Sequence, residues 1–170
     1  MKQTDNRLLP LTKGYFSLVD EDDFKRLSIY KWSACILHNY IRAERQIQKN
    51  GKRRKLFLAR EIMNAPDGRY VDHINGDTLD NRKCNLRLCS KAENNRNVGL
   101  RTTNTSGYKG VIKSGNGFKV QIGVNSEKKY LGYFKSKTLA AMFYNLAALW
   151  YHKEFAQLNE ITENYKRPNL

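Results

Sequence analysis

The stretch VDHINGDTLDNRKCNLRLCSKAENN, residues 71–95, holds one His, three Asp and five Asn together with four Arg or Lys. An imidazole among carboxylate and amide oxygens is the raw material of a cation site, yet the same run is basic enough to draw in an anion. Its hydrophobic pattern predicts a strand over 69–72, a polar loop over 73–83, a second strand over 85–89 and a helix beginning near Ser90. Ser90 and Glu93 have the S-x-x-E spacing of a capping box, which puts Ala92, Asn94 and Asn95 in the first turns of that helix. Asn is unfavourable in a helix because its amide competes for backbone hydrogen bonds, so Asn94 points to a partner outside the helix.

If strand and helix pack side by side, Asp72 and Asn94 offer a carboxylate and an amide oxygen to a hard cation. Mg²⁺ commonly takes only one or two carboxylates and completes its shell with water and substrate phosphate. His73, with an ordinary pKa of roughly 6.5, is able to take a proton from water near neutral pH. The bland alternatives are a solvated His and an Asx-turn loop in DHINGD. Asn75, Asp77, Asp80 and Asn81 read as loop formers. Arg87 shares a strand face with Asn85, away from Leu86 and Leu88, and is open to a phosphate role.

DHING at 72–76, LDN at 79–81, NLR at 85–87 and EN at 93–94 resemble the HNH, or ββα-metal, nuclease motif. The resemblance implies that His73 is the general base, that Asp72 and Asn94 are the metal ligands, and that Asn85 fixes the His-bearing loop. The third letter of the motif is Asn here, which favours one Mg²⁺ or Mn²⁺ ion and no zinc.

The rest of the chain suits a polyanionic partner. It has 31 Lys plus Arg against 16 Asp plus Glu, a net charge of +15. An anionic membrane would also suit that charge, but the most apolar stretch, 139–151, is too short to span a bilayer and no membrane partner is expected. The start has no signal-peptide core, so the chain reads as a soluble protein of the cytoplasm, in a bacterial host cell if phage-encoded. Cys35, Cys84 and Cys89 lack the spacing of a zinc site and read as reduced, mostly buried thiols.

Basic residues cluster at 49–60, and an acidic island at 61–81 follows. Upstream, strands are predicted over 15–19, 32–37, 40–46 and 53–59, with a short helix after Asp20 and KNG at 49–51 as a hairpin turn. Arg42, Lys52, Arg53, Arg54 and Lys55 on that hairpin are candidate DNA-backbone contacts. His38 and His152 read as structural.

After residue 105 a three-stranded meander is predicted over 108–113, 118–124 and 129–134, followed by a helix capped by Ser136. In the helix, Leu139, Met142, Phe143, Leu146, Leu149 and Trp150 form one stripe at helical spacing and read as the face that packs on the sheet. The free sheet face is assigned Lys109, Lys113, Lys119, Gln121, Lys128 and Tyr130, polar groups able to lie in a major groove. YKGV at 108–111, YLGYF at 130–134, the Ala-rich helix and FAQLN at 155–159 resemble the AP2/ERF DNA-binding domain. Where plant members carry base-reading arginines this chain has Lys, Gly or Ser, which favours phosphate contact over base readout.

Taken whole, the chain looks like the HNH homing endonucleases of bacteriophages and their introns. The expected fold class is α+β: a β-rich N-terminal module over 1–69, the HNH core over 70–98, an extended basic linker over 99–107, an AP2-like sheet on one helix over 108–159, and a tail over 160–170, with Arg96 at the end of the core and Arg101 in the linker as further DNA contacts. The expected activity is metal-dependent hydrolysis of a phosphodiester in double-stranded DNA. With no heptads or repeats, the expected form is a monomer that nicks one strand of a long asymmetric site. The alternatives are a DNA-binding regulator whose nuclease centre is idle and a non-homing phage nuclease.

Overall fold

Short apolar runs broken by turn residues give the first half of the chain many small strands and little helix. The computed structural model describes residues 5–37, 40–96, 100 and 103–161. It is mixed α and β, rich in sheet, and divides into two compact units, Met1–Asn94 and Asn95–Leu170.

In the first unit, β1 (Asn6–Pro10) pairs antiparallel with β2 (Phe16–Asp20), and α1 (Glu21–Leu27) follows. Strands β3 (Ser33–Leu37), β4 (Tyr40–Lys49) and β5 (Lys52–Phe57) form a second antiparallel sheet, and α2 (Leu58–Ile62) follows it. Asn50 and Gly51 turn the β4–β5 hairpin with positive φ at both positions, which suits the twist of the two strands. A third sheet is the pair β6 (Tyr70–His73) and β7 (Leu86–Cys89), and α3 (Lys91–Arg96) comes next. One core serves all of these. Leu9, Val19, Leu27, Trp32, Leu58, Ile62 and Leu86 are buried together, with Val71 and Leu79 packed against them.

That shared core revises the expected boundary at residues 69 and 70, because Val71, Leu79 and Leu86 complete the apolar interior that β1, β2 and α1 begin. Asp20 precedes α1 but its side chain makes no cap hydrogen bond; its Oδ2 accepts from the backbone N–H of Lys83 at 2.8 Å. Asp23, fully buried, is held by Arg26 and by Lys83 Nζ at 3.1 Å. Asp20 and Asp23 thus tie the start of α1 to Lys83, in the turn ahead of β7.

In the second unit, β8 (Val111–Ser114), β9 (Gly117–Val124) and β10 (Glu127–Phe134) form a meander with β9 central, and α4 (Lys137–His152) packs on one face. Ser136 Oγ accepts from the Leu139 N–H at 3.3 Å and caps α4. Part of the expected 99–107 linker is folded into this unit. Asn104 Oδ1 accepts from the Gly107 N–H at 2.7 Å, and buried Ser106 donates to the Val111 carbonyl at 2.7 Å. Residues 97–99, 101 and 102 lie outside the described residues, as does His38.

The face of α4 is the largest departure from expectation. Ala140, Ala141, Tyr144, Ala148 and His152 are buried against the sheet, while the large apolar stripe from Leu139 to Trp150 is 42–79% exposed. Small side chains let the helix approach β9 closely, and Tyr144 and His152 fill the remaining space. His152 Nε2 donates to the Gly123 carbonyl at 2.8 Å, which satisfies a buried ring nitrogen. A face of Leu and Phe would hold the helix further from Val120 and Ile122.

Gly110 shows how tight that approach is. Its φ is +73°, and a Cβ there would lie 2.1 Å from the Tyr144 ring and 2.6 Å from the Gln121 carbonyl. Gly110→Ala is expected to cost the second unit roughly 3 kcal/mol or more, combining backbone strain with overlap. Gly115, at φ +53° in open space, should cost only about 1–2 kcal/mol on the same change. Urea denaturation of both variants measures the difference.

Candidate active site

Strand β6 delivers Asp72 and His73 as consecutive residues, whose side chains therefore leave opposite sides of the β6–β7 pair. In register, Asp72 faces Arg87 and His73 faces Leu86. Asp72 is buried, and its Oδ2 accepts from Arg87 Nε at 2.8 Å and Nη2 at 2.6 Å. These two bonds to one oxygen place Arg87 inside the site, on the carboxylate, and revise the expectation of an outward phosphate contact. Asn85 also moves: it closes a 3₁₀ turn, Lys83–Asn85, ahead of β7 instead of sharing a strand face with Arg87.

The loop between the strands is stitched by its own polar side chains. Asn75 Oδ1 accepts from the Asp77 N–H at 2.8 Å, and Asp77 Oδ1 accepts from the Leu79 N–H at 2.9 Å, two successive Asx turns. Asp80 is gripped by Arg82 through Nε at 2.8 Å and Nη2 at 2.7 Å and receives Asn75 Nδ2 at 3.0 Å. The Arg82 hydrogen bonds hold the Asp80 carboxyl below the usual carboxylate range against the opposing effect of burial. Asn85 clamps the loop from the far side. Its Oδ1 accepts from the Asn75 N–H at 3.0 Å, its Nδ2 donates to the Asp80 carbonyl at 2.8 Å, and its own carbonyl accepts from the Ile74 N–H at 2.9 Å.

His73 is met from inside the fold by Asn81, a residue that sequence reasoning left among the loop formers. His73 Nε2 lies 3.2 Å from Asn81 Oδ1. Asn81 is 1% exposed, and its Nδ2 donates to Ser17 Oγ at 2.8 Å and to the Thr78 carbonyl at 3.2 Å. A carbonyl only accepts, so the amide nitrogen of Asn81 must face Thr78 and its oxygen must face His73. An amide oxygen also only accepts. His73 therefore carries its proton on Nε2 and its lone pair on Nδ1. Ser17 in turn donates to the Leu79 carbonyl at 3.0 Å, so every member of this buried chain is satisfied. The signal for it was Ser17, a hydroxyl at an inward position of β2 between exposed Phe16 and the Leu18–Val19 pair.

Burial is the main effect that lowers the His73 pKa. The Asn81 hydrogen bond and the charges of Asp72 and Asp77 oppose it, and Arg42 adds to it. The ring is thus neutral near pH 7, as a proton acceptor must be. Arg42, on β4, lies close enough for its charge to be felt at His73, and its guanidinium stacks on Tyr40 and Phe57.

Asn94 lies half-buried in α3, whose start is a closed capping box. The Ser90 N–H donates to Glu93 Oε2 at 2.7 Å and the Glu93 N–H to Ser90 Oγ at 3.2 Å. The buried Cys89 thiol is pushed up by burial first and then by the charges of Asp72 and Glu93, so the first turn of α3 and the Asp72 carboxylate flank the same residue. Among the described residues no three His, Cys, Asp or Glu side chains converge on one point. The expected ligands, Asp72 and Asn94, would offer one carboxylate and one amide, a set that would suit a hard cation keeping water and substrate oxygens in its shell.

The expected DNA contacts divide by register. Arg53 lies opposite Gln48 and Lys55 opposite Gln46, so both share a hairpin face with Arg42; Lys52 and Arg54, opposite Lys49 and Ile47, lie on the other face. Lys55 is also paired with Glu44 at 2.8 Å. In the second unit Lys119, Gln121, Lys128 and Tyr130 share the sheet face turned away from α4, because Gly123 pairs with Lys128 and Gln121 with Tyr130. Ile112 and Tyr133 join them, opposite Lys119. Lys113 does not: it pairs with Phe118, whose ring packs on the core, and so belongs to the helix side. Lys109 does not either. It precedes β8, its amine donates to Gln157 Oε1 at 3.1 Å, and burial lowers its pKa to about 8. The Arg96 side chain and Arg101 lie outside the described residues.

A family model described as HNH endonuclease matches residues 64–96, which contain β6, the loop, β7 and α3. Over 160 residues the chain is 31% identical to a protein named as an uncharacterised HNH endonuclease of Acanthamoeba polyphaga mimivirus, an alignment covering 91% of this chain and 80% of that protein. Over 46 residues it is 46% identical to Protein 3.8 of Escherichia phage T7, covering 27% of this chain and 38% of that protein. No solved structure matches. A viral relative aligned across most of both chains, together with a family match over the residues that build the His73 site, identifies this chain as a member of the HNH endonuclease family.

Proposed function

We propose that this chain is a site-preferring endonuclease of the homing type, hydrolysing a phosphodiester of double-stranded DNA with His73 as general base. The observation that carries the reading is the buried Asn81–His73 hydrogen bond, which directs the imidazole lone pair through Nδ1. His73 Nδ1 takes the proton of the attacking water, and Asn81 steadies the imidazolium that results. Asp72 and Asn94 would hold one divalent cation, Mg²⁺ or Mn²⁺. When bound, that ion supplies positive charge to the phosphorane and to the leaving oxygen. Asn85 keeps the loop that follows His73 in register, and Arg42 adds charge for the phosphate next to it.

The remaining basic surface brings the polyanion to this centre. Arg42, Arg53 and Lys55 on one hairpin face, and Lys119 and Lys128 on the open sheet face, are the groups placed to follow a phosphate backbone. A second unit with an open polar sheet face, carried on the same chain as the nuclease unit, supports a preferred site over indiscriminate cutting. One centre cuts one strand per encounter.

One observation favours a DNA-binding regulator with an idle centre: Arg87 already neutralises one oxygen of Asp72. Plasmid cleavage decides between them. The wild type should convert supercoiled DNA carrying its site to open circles with Mg²⁺ or Mn²⁺ and not with EDTA, and His73→Ala should lose at least about 10³-fold in rate while still binding DNA. Binding without cleavage by the wild type under every metal condition would select the regulator. Asn81→Leu, assayed well below its melting temperature, should lose about 10²-fold in kcat with little change in KM, because the tautomer is no longer fixed. If about ten phosphates are contacted, log K should fall against log[salt] with a slope near −9. A slope shallower than about −3 would contradict the extended contact.

A further inference from the structure

We propose that the outer face of α4 is the surface through which two copies of this chain pair. Leu139, Met142, Phe143, Leu146, Leu149 and Trp150 stand on that face with exposures of 56, 44, 42, 66, 50 and 79%. They recur at i, i+3, i+4, i+7, i+10 and i+11, the spacing of a helix that packs lengthwise on another. From residue 138 to residue 151 there is no charged side chain, in a chain of net charge +15. Phe143 is anchored by Phe134 of β10, with ring centroids 5.1 Å apart, so the stripe rests on a packed base.

Area selects the occupant. The six side chains expose on the order of 700 Å², close to the roughly 800 Å² that each partner lends to a standard specific interface and above the largest apolar patch of most monomers. The stretches of this sequence outside the described residues offer little to cover it, with Met1, Val98, Tyr165 and Leu170 as their only large apolar residues. A second α4 supplies the same stripe in return. Two such helices related by a two-fold axis bury both patches at once and close the assembly at two copies. The expectation of a monomer rested on the lack of heptads and repeats, and an exposed stripe on one helix pairs without either. Two paired copies bring two His73 centres to one DNA, which turns single-strand cutting into a route to a double-strand break. The pairing itself does not depend on the nuclease reading.

Sedimentation velocity on the full chain without DNA, from about 1 to 100 μM, tests it. The wild type should form dimers with a micromolar Kd, and the double variant Leu146→Glu, Trp150→Glu should raise that Kd at least about 100-fold with an unchanged circular dichroism spectrum. Trp150→Ser alone should raise it about tenfold. Raising NaCl from about 0.15 to 0.5 M should tighten the dimer, since salt screens the repulsion between two basic chains, whereas any DNA-bridged association would weaken. A wild type monomeric at 100 μM at both salt concentrations would overturn the proposal. So would a dimer indifferent to both variants, or open-ended association. Protection of the Trp150 side chain from solvent quenching at nanomolar concentration would also overturn it, because the face would then be covered within one chain.

Discussion

A single buried amide organises the first unit. Asn81 has no access to water, so each of its polar atoms must find a partner inside the protein, and the three it finds belong to three different segments: Ser17 on β2, Thr78 in the loop and His73 on β6. Backbone bonds run beside it, from the Asn81 N–H to the Leu18 carbonyl and from the Leu18 N–H to the Leu79 carbonyl, at 2.8 Å each. Loss of the amide would take a partner from a hydroxyl, a carbonyl and an imidazole N–H together. That cost explains why the 71–95 stretch is built into the β1–β2 hairpin and α1 and shares their core. The acids Asp20 and Asp23 repeat the arrangement at Lys83, tying the far end of the same loop to the start of α1.

Much of the site was legible because its parts are local. The capping box at Ser90 and Glu93 needs only four residues to form, and it starts α3 where its sequence says. Asn85 reaches the His-bearing loop across a short turn. Asn81 was illegible for the opposite reason: its role depends on Ser17, 64 residues away, and nothing local separates an Asn aimed inward from one that simply closes an Asx turn. Arg87 was misread on similar grounds. A strand of four residues has two faces, and only the register with β6 tells that Asp72 stands across from it.

The second unit failed on a different point. Hydrophobicity ranks Leu, Phe and Trp above Ala for burial, and that ranking chose the wrong face of α4. Distance decided otherwise, since a helix lying close enough to β9 for Tyr144 to touch Gly110 has room beneath it for alanines, with Tyr144 and His152 in the space that remains, and not for a row of Leu and Phe. The sheet carried a smaller error of the same kind. Its alternation was read correctly along β9, but the phase of β8 is set by the pairing of Lys113 with Phe118, and that fact is absent from β8 itself.

Asn81 and Arg87, which meet His73 and Asp72 by hydrogen bond, lie before residue 95, where the first compact unit ends, while α3 runs on to Arg96. The Ser17–Asn81–His73 chain and the open sheet face belong to different units of one chain. Recombination that joins a different sheet-and-helix unit after α3 would leave the Ser17–Asn81–His73 chain intact and give the same centre a new second unit. A crossover within residues 17–81 would instead separate Ser17 from Asn81. Lineages that exchange DNA freely should on this account shuffle the second half of such a chain and inherit the first half whole.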